Sequence, residues 1–296
     1  MISKLGDSII IFLKGMLMGI ADLVPGISGG TIAFVTGIYE DLINALNNIN
    51  LKIFEGDLIN QFTKKKFDFL LILICGILFS ILSFSKLLTY LLINFNIELR
   101  SFFLGLILVS ISILYRSINK IRLFQIQNIF LLIFSIISSF MIFNMSSYEP
   151  KVTILYVFLC GGICSLAMIL PGISGAYILI ILGIYEFLIN KISNLFQDIN
   201  SIKIVCVFGF GFVIGIIFFS KFIKYLLLNF KKPTFLTLIG LIIGSLPKLL
   251  PIESRYDSSF FDSLTEFFYN NPSSIFFILI GIICVGIFSK LKIKIQ

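Results

Sequence analysis

The sequence predicts an all-α, polytopic integral membrane protein built from two inverted-topology repeats, each a re-entrant helical hairpin plus about three transmembrane helices. Hydrophobic residues make up 58% of the chain and charged residues 13%, with a mean hydropathy of +1.08. A soluble domain of this length does not carry so much apolar surface. The apolar residues run in long stretches without period-two alternation, which excludes a transmembrane barrel. Inside two of those stretches, 146 residues apart, the same helix-breaking motif occurs: Pro25-Gly26-Ile27-Ser28-Gly29 and Pro171-Gly172-Ile173-Ser174-Gly175.

The duplication extends beyond the motif. Gly37-Ile38-Tyr39-Glu40 and Leu42-Ile43-Asn44 return as Gly183-Ile184-Tyr185-Glu186 and Leu188-Ile189-Asn190, giving 13 identities in the 20 positions from Pro25 to Asn44. Phe84-Ser85-Lys86 and Tyr90-Leu91-Leu92 return at an offset of 135 as Phe219-Ser220-Lys221 and Tyr225-Leu226-Leu227. The change of offset places an 11-residue length difference in one loop. Two repeats follow, 1–145 and 150–296.

In the first repeat the hairpin spans 9–46, and helices are expected at 67–95, 101–116 and 126–144. The first residues lack a signal-peptide cleavage site and are expected to remain as the opening arm. The two arms, 9–24 and 30–46, are each about 25 Å long as helices, short of a ~30 Å hydrocarbon core. Short arms around an uncharged Pro-Gly-Ser-Gly turn read as a hairpin with its tip buried in protein or a wet cavity; two short full spans are the alternative. The second repeat has a hairpin at 152–190 and helices at 202–230, 234–250 and 274–290.

Either reading gives an odd number of crossings per half, so the second half inserts upside down relative to the first. The N-terminal side then collects Lys4, Lys52, Lys64, Lys65, Lys66, Arg116, Lys120, Arg122, Lys231, Lys232, Lys290, Lys292 and Lys294. The opposite side has Arg100, Lys151, Lys191, Lys203, Lys248 and Arg255. This bias places both termini in the cytoplasm, in a multi-pass protein of the cytoplasmic membrane. It also accounts for the net charge of +8 without nucleic acid.

The motif turns carry the candidate chemistry. Pro25-Gly26 and Pro171-Gly172 end one helix, and the residues that follow open the next. Backbone N–H groups at such a start, with Ser28, Gly29, Gly30 and Thr31 or Ser174 and Gly175, suit an oxyanion, because glycine permits close approach. Packing of two small-residue tips is the competing use of the same residues. Lys86 and Lys221 occupy equivalent repeat positions near opposite faces and suit a negatively charged substrate, with snorkelling as the alternative. Asp22, replaced by Met168 in the second half, is a candidate for coupling, with Lys14 as its candidate partner. Glu40 and Glu186 are further candidates for gating or for proton or cation coupling, as are Pro25, Gly26, Pro171 and Gly172 of the two turns.

There is no His, and the five cysteines lie in apolar segments, so neither a metal nor a cofactor is expected. No Walker motif is present, so ATP is not expected to drive the chain.

Both motifs, the length and the hydropathy resemble a bacterial membrane family formerly classed as a domain of unknown function, the PopT-type undecaprenyl-phosphate translocases. The resemblance implies a flippase that returns undecaprenyl phosphate from the outer to the inner leaflet for cell-wall polymer synthesis, with the polyprenyl-phosphate lipid as its partner. The chain departs from the first motif at Ala176 and Tyr177. Polyprenyl-diphosphate phosphatases also carry a Pro-Gly-x-Ser turn, but follow it with arginine and add a glutamate-rich motif. Gly29 and Gly175 stand here in place of that arginine, which disfavours an enzyme. A secondary transporter of a small soluble anion is the remaining alternative.

Overall fold

The computed structural model describes residues 5–24, 26–47, 64–117, 126–194, 197–249 and 260–290. All regular structure among them is helical. The first half contains α1 (Leu5–Asp22), α2 (Gly29–Val35), α3 (Tyr39–Asn47), α4 (Lys64–Asn94), α5 (Asn96–Ser117) and α6 (Ile126–Phe143). The second contains α7 (Ile154–Ile169), α8 (Gly175–Ile181), α9 (Tyr185–Ser193), α10 (Ile199–Asn229), α11 (Lys231–Ser245), a 3₁₀ turn (Leu246–Leu249), α12 (Phe260–Asn270) and α13 (Ser273–Lys290).

Three of the described helices are long and apolar enough to cross a bilayer: Phe67–Asn94, Ile126–Phe143 and Ile199–Asn229. The bent pair α8 and α9 passes the same test when taken together. This is a multi-pass helical membrane protein. At 31 residues, α4 and α10 are ~46 Å long, so each exceeds the hydrocarbon core and must tilt or project. Asp198 caps the start of α10, and the N–H of Asn200, the Ser201 hydroxyl and Lys191 hold its carboxyl below the usual range.

Two expectations need correction. The second arm of each hairpin is not one helix. Gly37 (φ +75°) and Gly183 (φ +67°) adopt a backbone that L side chains avoid and split each arm into two short helices, with α8 and α9 meeting at 112°. The repeated Gly-Ile-Tyr-Glu is therefore a break and a new helix start. The helix expected over 234–250 ends at Ser245 and tightens into the 3₁₀ turn, and α12 was not foreseen.

Glycine sets the closest contacts. Gly15 on α1 lies against the Leu73 carbonyl on α4, and Gly76 on α4 lies against the Phe12 carbonyl on α1. Gly161 and Gly211 make the same reciprocal contact between α7 and α10, against the carbonyls of Phe208 and Phe158. One turn along, a side chain at Gly19 would meet the Ser80 hydroxyl. In the second half the serine and glycine exchange places, with Gly215 facing Ser165. Both serines are fully buried and donate to carbonyls of their own helices, Ile77 and Gly162. Small residues on both sides let the backbones approach, the chief source of helix association in lipid.

The other pairings cross between halves. α5 packs on α13, where Gly105 faces the Ile278 carbonyl and Gly281 faces the Phe102 carbonyl. α11 packs on α6, where the Ser139 hydroxyl donates to the Leu241 carbonyl at 2.8 Å. The halves are therefore interlocked. All seven residues of α2 are buried, whereas in α8 only Leu179 and Ile181 are.

Candidate functional site

The first motif turn has Gly26 at φ +90°, a value glycine adopts without strain, and then opens α2. Ser28 caps the helix, its Oγ accepting the Gly30 N–H at 3.2 Å. The Gly29 N–H donates to Asp22 Oδ1 at 2.6 Å. Asp22 Oδ2 is buried and receives no hydrogen bond. A carboxylate thus already sits where the sequence places an anion, held by one of the expected donors. Lys14 is not its partner. The Lys14 Nζ is buried and donates to the Thr36 carbonyl at 2.7 Å, at the negative end of α2. In the second half the Tyr156 hydroxyl does the equivalent work, donating to the Leu182 carbonyl at 2.8 Å at the end of α8.

The two turns meet. The Gly172 N–H, in a residue at φ +87°, donates to Thr31 Oγ1 at 2.8 Å. A methyl on Gly30 would lie 2.7 Å from the Met168 carbonyl, so α2 rests directly on the backbone that enters the second turn. Some of the motif's small residues therefore serve packing. The second turn is built differently. Ser174 makes no side-chain cap, Met168 stands where Asp22 would be, and the Tyr177 hydroxyl reaches away to the Phe143 carbonyl at 2.6 Å. A methyl on Gly175 would come no nearer than 3.1 Å, to Cys164 Sγ.

Of the remaining candidates, Pro25 lies outside the described residues, and Pro171 is buried in the second turn. Lys86 and Lys221 are exposed on the outer surfaces of α4 and α10, whereas Leu88 and Ser220 on the same helices face inward. Glu40, at the start of α3, pairs with Lys231 at the start of α11, with Oε1 at 2.7 Å and Oε2 at 3.0 Å from Nζ. Glu186, its counterpart at the start of α9, is exposed. Sequence reasoning counted Lys231 only as a topological charge. Its partner is 191 residues away, and no local signal announces it.

A sequence profile of the VCA0040-like, undecaprenyl phosphate translocase-like family matches residues 18–266, which include both motif turns. The chain belongs to this family. Two relatives, each named polyprenyl-phosphate transporter, are similar over most of its length. One, from Vibrio cholerae, is 38% identical over 244 residues, covering 81% of this chain and 77% of the relative. The other, from Staphylococcus aureus, is 34% identical over 249 residues, covering 81% of this chain and 85% of the relative. No solved structure matches the chain.

Proposed function

We propose that this protein is a polyprenyl-phosphate transporter that moves undecaprenyl phosphate from the outer to the inner leaflet of the cytoplasmic membrane without hydrolysing it. The observation that carries the reading is the oxyanion contact at the meeting of the two turns: Asp22 Oδ1 on the Gly29 N–H, one residue from Gly30, which rests on the second turn. A donor that holds a carboxylate at 2.6 Å suits a phosphate oxygen equally well. The names of the two relatives support the lipid class.

In this proposal the phosphate head binds at Ser28, Gly29, Gly30 and Thr31 and at Ser174 and Gly175. Asp22 occupies the first tip until the head displaces it. The second tip, uncapped by Ser174 and lacking an aspartate, is the one free to receive the head in the conformation described here. Lys86 and Lys221, on the outer surface, attract the head from the two faces before it enters. Inward movement of an anion opposes an inside-negative potential by about 2.3 kcal/mol per charge per 100 mV. Asp22, Glu40 and Glu186 are the groups through which protons or cations would offset that cost.

The architecture proposed is two inverted repeats, 1–145 and 150–296, with re-entrant hairpins and both termini cytoplasmic. Support comes from the return of each hairpin alongside its own first arm. Thr36 at the end of α2 accepts from Lys14 in the body of α1, and Leu182 at the end of α8 accepts from the Tyr156 hydroxyl in α7.

The test is transport by purified protein in liposomes, comparing a polyprenyl phosphate with inorganic phosphate and with a polyprenyl diphosphate. Movement of the lipid monophosphate alone supports the proposal. Uptake of inorganic phosphate, or release of phosphate from the diphosphate, would replace it with an anion carrier or an enzyme.

A further inference from the structure

A groove of about 450 Å³ lies between α7, α10 and α11. Its inner end is formed by Leu170, next to the Pro171-Gly172 turn, and by Leu241, whose backbone would lie 2.7 Å from a methyl on Gly172. Its other end is formed by Phe230 and Pro233 at the turn from α10 to α11. Along α11 this is a run of ~12 Å at 1.5 Å per residue. Phe222 and Phe230 are half exposed and form its outward wall. Every side chain lining it is apolar apart from two threonines.

The groove depends on three residues in which the halves differ. α5 and α11 align at the offset of 135, with Gly105-Leu106-Ile107 matching Gly240-Leu241-Ile242. At that offset Thr234, Thr237 and Leu238 of the groove correspond to Leu99, Phe102 and Phe103. In the first half the rings of Phe102 and Phe103 pack edge to face at 5.4 Å, and Phe103 is buried. Phe102 and Leu106 border instead a separate cavity of about 70 Å³, shared with α1, α2 and α13. Interiors are ordinarily close-packed, so three side chains smaller than those at the matching positions of the related helix leave room for something else.

We propose that this groove binds the head-proximal isoprene units of the lipid tail while the phosphate is at the second tip. The inference rests on the transport reading above. The occupant is an isoprenoid rather than a bulk acyl chain because the groove ends at the motif turn where that reading places the head. Filling it also requires a flexible apolar chain entering from the lipid side. The tail leaves the groove past Phe222 and Phe230 into the bilayer.

The experiment uses the full chain in liposomes, with a polyprenyl phosphate carrying a diazirine on an isoprene unit near the head. Photolysis should label the α11 segment that contains Thr234, Thr237 and Leu238. Excess unlabelled polyprenyl phosphate should reduce the label, and the same excess of phosphatidic acid should not. The double variant Thr237→Phe/Leu238→Phe, which restores the side chains of the first half, should reduce labelling and transport by about tenfold, the equivalent of ~1.4 kcal/mol of binding. Equal competition by phosphatidic acid would make the groove a bulk-lipid site and overturn the proposal, whether or not the variant folds. Unchanged transport by the folded variant would also overturn it and leave the transport reading intact. Selective competition in a wild-type protein that moves no polyprenyl phosphate would uphold the groove and remove the transport reading.

Discussion

The carboxylate of Asp22 accepts the backbone N–H of Gly29, seven residues ahead, at 2.6 Å, and leaves its second oxygen buried without a donor. A half-satisfied buried carboxylate is costly to keep, because each unpaired charged atom retains much of its desolvation penalty. The geometry also gives Gly29 its own constraint. A methyl there would lie 2.6 Å from Asp22 Oδ2, so any side chain must displace the carboxylate.

Gly29→Ala should therefore reduce transport by about tenfold or more, because a hydrogen bond to a charged group contributes about 1.5–3 kcal/mol. Asp22→Asn keeps the shape and an acceptor oxygen but removes the charge. It should leave the protein folded while abolishing the response of transport to an imposed proton or cation gradient in liposomes. A gradient response equal to wild type would remove Asp22 from coupling.

Thr31 joins the two turns. Thr31→Val leaves the buried Gly172 N–H without its acceptor and should cost about 1–3 kcal/mol. Thr31→Ser keeps the oxygen and should lose far less. Thermal unfolding of the detergent-solubilised protein checks the pair, and a larger loss for Thr31→Ser than for Thr31→Val would show that the methyl, not the hydroxyl, matters.

The Gly19–Ser80 contact predicts its own rescue. Gly19→Ser places a side chain against the Ser80 hydroxyl and should destabilise by about 1–3 kcal/mol. Adding Ser80→Gly recreates the pairing of Ser165 with Gly215 and should recover the part of that loss due to the Ser80 hydroxyl, leaving the part due to the Ile77 carbonyl, which a methyl at Gly19 would meet at 2.6 Å. Additive effects in the double-mutant cycle would mean that the two positions do not touch.

Glu40 and Lys231 hold α3 against the start of α11, the turn that closes the groove. Both are partly exposed, so breaking the pair should alter stability by less than about 1 kcal/mol. Glu40→Lys places two cations together and should slow transport well beyond that small change. Glu40→Lys combined with Lys231→Glu should restore the rate. A double variant as slow as the single one would show that the pair is not a latch.

If the halves insert in opposite senses, as proposed, the basic start of α4 at 64–66 and Lys231–Lys232 should lie on the cytoplasmic side, with Lys151 and Arg255 outside. Single cysteines in an otherwise cysteine-free chain, labelled with an impermeant reagent in intact cells, read this directly. Reagent reaching position 65 but not 255 would reverse the arrangement.

Composition alone determined the class of this protein, because apolar content on this scale is stable only in lipid, where helices satisfy their own backbone. The repeated motif located both turns, since Pro-Gly within an apolar run leaves a helix few alternatives. The offsets of 146 and 135 even pair Gly15 with Gly161 and Gly76 with Gly211. The break at Gly37 was less legible, because a glycine inside an apolar run also occurs in continuous helices, and only its positive φ separates the two cases. The contacts made across the chain were decided by tertiary structure alone. Asp22 turned toward Gly29 rather than Lys14, Lys14 capped α2 at Thr36, and Glu40 found Lys231. A charge in an apolar segment announces that it needs a partner. Which partner it takes depends on the path of the backbone, and a short polar side chain reaches only what the fold brings within about 3 Å.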